Sequence, residues 1–173
     1  MPRWLTKEEQ RAWRGLLLMT AQLDAHVNRQ LQETSGLSRP DYNVLVPLSE
    51  SPEGRLRMYE IAQAACWEQS RLSHHLGRMQ NRGLIAREDC PTDRRGAFVA
   101  LTAAGREAIE AAAPAHVATV REALFVGLDR GQVRALGDIA AQVLARLDAI
   151  GAADAIGGCR PPAPPARRGA ASG

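Results

Sequence analysis

The chain has few cysteines and few aromatic residues, and both shortages limit what it can be. Of its 173 residues, 4% are aromatic and three are cysteines, Cys66, Cys90 and Cys159. The cysteine count is odd and no pair has C-x-x-C spacing, which argues against a disulfide framework and a structural zinc site. We therefore expect reduced thiols, no metal or other cofactor, and a core built mainly from aliphatic side chains.

Long apolar runs and enzyme motifs are also missing. No run approaches the roughly 18 apolar residues that cross a bilayer, and the N-terminal stretch MPRWLTKEEQ has no signal-peptide h-region. We expect a cytoplasmic protein without a membrane partner. A Gly-rich phosphate loop, a G-x-S-x-G sequence and an H-E-x-x-H sequence are absent as well, which argues against an enzyme.

Positive charge is concentrated in two stretches of the chain. The formal net charge is +3, and residues 55–95 hold eight arginines against five acidic residues. The tail, residues 160–173, adds three arginines and no acid. A local positive field attracts phosphate groups. An ordinary solvated face would show the same small excess, so charge alone does not identify a partner.

Apolar periodicity predicts long helices at both ends. Thr6 and Glu9 form a capping box before a helix from about 7 to 33. Thr102 caps a helix over about 103–126, which Pro114 is expected to kink or interrupt. Asp129 caps a last helix whose apolar side chains repeat in steps of three and four, as in a coiled-coil seam: Val133, Leu136, Ala140, Val143, Leu147 and Ile150.

The middle of the chain has the pattern of short helices followed by a hairpin. Ser38 caps a helix that ends near residue 51, and helices over 58–65 and about 68–82 follow a short strand at 56–57. Strands at 84–88 and 97–101 are joined by the loop 91–96. The predicted fold is mainly α with a small β-hairpin wing, a winged helix-turn-helix with long N- and C-terminal dimerisation helices.

Four segments follow from this pattern. We expect an N-terminal helix in a dimer base (5–35), a winged helix-turn-helix DNA-binding domain (36–101), C-terminal dimerisation helices (102–150) and a disordered Pro/Ala/Arg-rich tail (151–173). The apolar seams of the first and last helices are larger than one small winged domain can cover. We expect a second copy of the chain to pack against these apolar seams.

Candidate DNA-contacting residues lie on the predicted fourth helix and at the tip of the hairpin. Leu72, Leu76 and Met79 form the helix's buried stripe, with His75 near its boundary, and the other face is small, polar and basic. Such a face suits a major groove, and an arginine at a hairpin tip suits a narrow minor groove. A solvated face and a charged turn are the simpler alternatives. The candidates are Gln69, Ser70, Arg71, Ser73, His74 and Arg78 on the helix, Asp93, Arg94 and Arg95 on the wing, and Ser38 and Arg39 for the DNA backbone.

The chain resembles the MarR family of winged helix-turn-helix transcriptional regulators. The stretches YEIAQAACWEQSRLSHHLGRMQNRGLI and DRRGAFVALTAAG carry the resemblance together with the long flanking helices, over about residues 5–150. It implies a homodimer, more often a repressor, that reads a pseudo-palindrome in double-stranded DNA. It places Gln69, Ser70, Ser73 and His74 at recognition positions, Arg95 in the minor groove and Asp93 as its support.

Some positions depart from the family pattern. Cys66 stands where Gly is usual, Glu68 where a Ser or Thr cap is usual, and His74 where Arg is more frequent, which leaves the preferred bases open. We interpret Cys66 as a small buried hydrophobe and Cys90 as exposed. A thiol-based redox sensor of the same fold and a winged-helix module that docks on an acidic protein are the alternatives.

The resemblance also implies a small-molecule effector. Many members release DNA when a small aromatic ligand enters the crevice between the dimer base and the winged domain. Trp13, His26 and Tyr42 are the candidates for lining such a crevice, with core packing the preferred interpretation for Trp13 and Tyr42.

Overall fold

The computed structural model describes residues 4–89 and 97–151, and it confirms the predicted fold class. The described part of the chain forms α1 (Lys7–Ser35), α2 (Arg39–Glu50), β1 (Arg55–Arg57), α3 (Met58–Ala65), α4 (Gln69–Asn81), β2 (Ile85–Asp89), β3 (Ala97–Leu101), α5 (Ala103–Val120), a π-helical turn (Arg121–Phe125) and α6 (Arg130–Ala149). The three strands form an antiparallel sheet in the order β1-β3-β2.

Side-chain caps explain where most of the helices begin. At α1 the Thr6 hydroxyl accepts from the Glu9 backbone N–H at 3.2 Å, and the Glu9 carboxylate accepts from the Thr6 N–H at 2.7 Å. At α5 the Thr102 hydroxyl accepts from the Gly105 N–H without a reciprocal side-chain bond, and at α6 Asp129 and Gln132 form a full capping box. Glu68 precedes α4 without a side-chain cap bond, so α4 has the unconventional start that its sequence indicates.

A close backbone approach joins the wing strands to α5. Thr102, between β3 and α5, donates its backbone N–H to the Leu84 carbonyl at 3.3 Å. Gly105 passes the same carbonyl so closely that a Cβ built on it would lie 2.0 Å from the oxygen. Only glycine fits at position 105 without moving the backbone, and this contact fixes the sheet against the start of α5.

The core lies within the winged unit and against the second half of α1. It is formed by Val27 and Leu31 of α1, by apolar residues of α2, α3 and α4, and by two residues each from the sheet and from α5. The predicted stripe of α4 is fully buried, since Leu72, Leu76 and Met79 have no exposed surface. The same burial turns the opposite face of α4 outward.

Helix α5 differs from its prediction. Pro114 does not interrupt it: α5 runs unbroken to Val120. Pro114 is exposed. Its ring therefore lies on the solvent side of α5, where water can bond to the backbone carbonyl that the missing N–H leaves without a partner. The irregularity comes later, in the π-helical turn, which the apolar pattern does not reveal.

Large apolar side chains on α1 and α6 remain exposed in the single chain. No residue of α6 is buried, and the exposed residues include most of its predicted seam. Trp13 is 52% exposed, so its interpretation as a core residue of this chain is wrong. None of the described helices combines the length and the hydropathy that a membrane span requires.

Candidate nucleic-acid interface

Helix α4 has one anchored face and one free face. Leu72, His75, Leu76 and Met79 are buried on the first. The second face carries the six predicted DNA-contacting residues of α4. Ser73 is half-buried, and the other five are exposed: Gln69, Ser70, Arg71, His74 and Arg78. The structure thus brings these six predicted residues together on one polar, basic surface, which we call the α4 face.

Intramolecular contacts orient the two arginines of the α4 face. The Arg71 guanidinium lies 4.7 Å from the ring centre of buried Trp67, at cation–π distance. Arg78 donates from Nη2 to Nδ1 of His75 at 2.8 Å, and its Nη1 lies 3.5 Å from Nδ1 of His74. Both cations are therefore directed by neighbours instead of moving freely.

A buried carboxylate connects α4 to α2. Asp41 is 2% exposed, and it completes the capping box of α2 with Ser38. Arg82, which follows α4, donates to Asp41 Oδ2 at 2.6 Å and to the Gly36 carbonyl at 2.9 Å. Nε2 of His75 lies 3.0 Å from Asp41 Oδ1, which is within ion-pair distance. The orientation of the ring does not meet the geometry of a hydrogen bond between these two atoms.

These contacts determine the charge of Asp41. Burial on its own raises the pKa of this carboxyl. The contacts with His75, the Ser38 backbone N–H and Arg82 outweigh that effect and hold the pKa well below its usual range. Asp41 is therefore ionised at neutral pH, and it holds His75 of α4 and Arg82 at the C-terminal end of α4.

The three-stranded sheet carries further cations that were not among the predicted site residues. Arg87 of β2 donates to the Ser73 carbonyl of α4 at 3.2 Å. The guanidinium groups of Arg55 and Arg57 lie 4.9 and 4.0 Å from the ring centre of Phe98. The arginine excess over residues 55–95 was the available signal. The predicted tip residues Asp93, Arg94 and Arg95, like Cys90, lie outside the described residues, so their roles stay predictions.

Ser38 and Arg39, predicted to contact the DNA backbone, already have partners within the chain. Ser38 is taken up by the α2 cap. Arg39 pairs with Asp24 of α1 at 3.2 Å, and its backbone N–H donates to Asn28 Oδ1 at 2.9 Å. The start of α2 is thus attached to α1, and the DNA contacts of both residues stay predictions.

Cys66 differs from its prediction in two ways. It is exposed, so its interpretation as a buried hydrophobe is wrong, and it is disulfide-bonded, so the expectation of a reduced thiol is wrong too. It is also the one non-glycine residue with positive φ in the described part of the chain, at 55°. Across residues 4–89 and 97–151, no group of three His, Cys, Asp or Glu side chains is arranged to hold a metal.

The three candidate effector residues do not share one cavity. His26 lines a cavity of about 410 Å³ between α1 and the π-helical turn, and neither Trp13 nor Tyr42 lies along it. Tyr42 packs instead on His116 of α5, with ring centres 4.2 Å apart. His116 was not among the predicted site residues. Its Nδ1 is buried without a hydrogen-bond partner, and burial and the charge of Arg39 lower its pKa.

Two solved structures from Streptomyces coelicolor share both the fold and the sequence. Sco3205, a MarR family transcriptional regulator solved in complex with DNA, is 45% identical and superposes with a TM-score of 0.81 over 85% of this chain and 92% of its own. AbsC, another MarR family transcriptional regulator, is 40% identical with a TM-score of 0.80, over 86% of this chain and 99% of its own.

Sequence comparison gives the same family over a shorter range. The MarR family profile matches residues 35–96. The transcriptional regulator HosA of Escherichia coli O111:H- is 36% identical over 89 residues, which are 51% of this chain and 64% of HosA, just under two thirds of that relative. These relatives are transcriptional regulators and not enzymes. The identities over nearly the whole length of the two Streptomyces regulators show that the chain belongs to the MarR family of transcriptional regulators.

Proposed function

We propose that the chain is a homodimeric repressor that binds a pseudo-palindromic operator in duplex DNA. The observation that carries the proposal is the α4 face, a polar and basic surface on a helix whose other side is locked into the core. A helix of this kind suits the major groove, where side chains read base edges and phosphates. The relative at 45% identity, Sco3205, was solved in complex with DNA.

The exposed seam of α6 supports the homodimer. A helix of 20 residues that buries none of them has little to stabilise it in a single chain. Contiguous apolar surface of this kind marks an interface. We assign 5–35 and 102–150 to a dimer base and 36–101 to DNA binding. A two-fold axis through that base would present two α4 faces to half-sites about one helical turn apart. A dimer covering that span of a promoter would exclude polymerase, which is our reason for proposing repression.

Selection of bound sequences from a random duplex pool tests this function. We expect a two-fold symmetric motif and an affinity that falls steeply as salt rises. Arg78→Ala should lower the salt slope by about one, the signature of a lost phosphate contact. Arg106→Ala removes the same charge from α5, away from the α4 face, and should leave the slope unchanged. Equal slopes for both variants, or indifference to every duplex at low salt, would contradict DNA recognition by α4.

The cavity at His26 is our candidate effector site. Its volume of about 410 Å³ suits a small aromatic molecule, and its lining is apolar except for Gln22 and His26, one helical turn apart on α1. Titration of the DNA complex with benzoate and phenol should release DNA, and His26→Leu should remove the response without changing DNA affinity. Release that persists in His26→Leu would place the effector elsewhere.

Thiol-dependent DNA binding is a second candidate, favoured by the disulfide at Cys66. This exposed residue directly follows α3 and lies three positions before the start of α4. A cross-link at this point would restrict how α4 moves against its neighbours. DNA affinity should then differ between reduced and oxidised protein, and Cys66→Ser should abolish the difference. Equal affinity in both redox states would reject a regulatory role.

A further inference from the structure

We propose that His75 is a positioning residue that orients Arg78 for DNA contact. The inference rests on the proposed function, since it concerns one side chain of the α4 face. His75 lies on the buried side of α4, and Arg78 lies one turn later on the exposed side. The bond between them crosses from the core to the surface that we assign to DNA.

The chemistry of the two contacts selects one tautomer of the ring. Arginine has donors only, so Nδ1 of His75 accepts the 2.8 Å bond from Arg78 and carries no proton. In the neutral imidazole the proton then resides on Nε2, and Nε2 lies 3.0 Å from Asp41 Oδ1. The carboxylate favours a proton on that nitrogen. Both neighbours therefore stabilise the same tautomer.

The packing keeps the ring in place. The side chain of His75 is 7% exposed, and the Trp67 ring meets it edge-on with centres 5.3 Å apart. Asp41, which faces it from α2, is in turn held by Arg82 and the α2 cap. The acceptor offered to Arg78 is consequently fixed relative to α2 and to the body of the winged unit.

A fixed acceptor matters to an exposed arginine. A free arginine side chain loses rotamer entropy when it is immobilised. A bond within the protein restricts the side chain before DNA binds, so less entropy is lost on binding. Only Nη2 and, more weakly, Nη1 of Arg78 face the histidines. The remaining donors of the guanidinium are left to contact DNA. The charged and titratable neighbours of His75 are Asp41 from α2 and His74, Arg78 and Arg82 from α4 and its end.

Two substitutions at His75 separate its contacts. Gln places an amide N–H near the position of Nε2, which keeps a polar N–H beside Asp41 and removes the acceptor for Arg78. Asn places an oxygen near the position of Nδ1, which keeps the acceptor and loses the donor. We expect His75→Gln to weaken binding to the selected operator about tenfold, the lower end of what one hydrogen bond to a charged group contributes. His75→Asn should stay within about twofold of the wild type.

A double-mutant cycle distinguishes positioning from a general loss of structure. In an Arg78→Ala background, His75→Gln should have no further effect on operator affinity, because the side chain it orients is gone. Urea unfolding of each variant reports the structural cost separately. Additive effects in the cycle, or a larger loss for Asn than for Gln, would overturn the positioning role while leaving DNA binding intact. Wild-type protein that binds no duplex would overturn the proposed function itself.

The tautomer can be read without any substitution at His75. Long-range proton–nitrogen correlation spectra of the wild type should show His75 protonated at Nε2 and not at Nδ1. Arg78→Ala should shift the Nδ1 resonance. A proton found on Nδ1 would refute the bond from Arg78 and with it the inference.

Discussion

At the residue scale, Asp41 is the charge on which the attachment of α4 depends most. We expect Asp41→Asn to lower the free energy of unfolding by about 2 kcal/mol at pH 7, since the Arg82 guanidinium loses its counter-charge. The folded-state pKa of Asp41 lies below its ordinary value of 3.8. Its contribution is therefore complete above that value and is lost as the pH falls through and below it. Urea unfolding at pH 7 and between pH 4 and 3 measures both effects, and the variant should show the weaker acid dependence.

Asp24 provides the matched control. It is also an aspartate paired with an arginine, Arg39, but its side chain is 66% exposed. Exposed ion pairs contribute about 0–1 kcal/mol, so Asp24→Asn should change stability little and leave the acid dependence as it is. If the two substitutions had equal effects, the burial and the partners of Asp41 would not matter as argued.

Cys66 has a backbone conformation that its side chain disfavours. Its φ of 55° is in the left-handed region, where a helix end normally has glycine. Under reducing conditions Cys66→Gly should stabilise the chain by about 1 kcal/mol relative to Cys66→Ala, because glycine relieves that strain. Thermal unfolding of the two variants measures the difference. Equal stability would mean that position 66 relaxes out of the left-handed conformation.

At the element scale, we expect the exposed apolar seam of α6 to form the contact that holds the proposed dimer together. Val143 lies on this seam and is 52% exposed in the single chain, whereas Ala145 lies on the opposite side of the helix. Val143→Glu would bury a charge in the proposed dimer and should raise the dimer dissociation constant at least about a hundredfold. Ala145→Glu adds the same charge on the polar side and should leave assembly unchanged. Sedimentation velocity over a concentration series distinguishes them, and two dimers of equal stability would exclude this seam as the contact.

Local signals predicted the elements well. The capping residues Thr6, Ser38, Thr102 and Asp129 all begin helices where expected, because a cap is a contact within four residues. The π-helical turn was not predicted, since it spans only five residues at the end of α5 and none of them is buried. The same limit applies at the site. The α4 face followed from periodicity, but the contact of Asp41 with His75 joins positions 34 apart, and only the packed structure brings them together.

At the scale of the whole molecule, the proposal requires that two α4 faces be held at a fixed separation and rotation. Inserting about five base pairs between the half-sites turns one of them to the opposite side of the duplex. Such an operator should bind the wild-type dimer no better than a single half-site does. An insertion of about ten base pairs returns both half-sites to the same side of the duplex but leaves them too far apart. If the dimer base is rigid, this operator should regain little affinity. Gel-shift titrations of the three operators measure this, and Val143→Glu protein should bind all of them alike, because a monomer senses no spacing. A wild-type protein equally indifferent to the insertion would bind DNA through independent winged domains, and the apolar surfaces of α1 and α6 would then have to serve another partner.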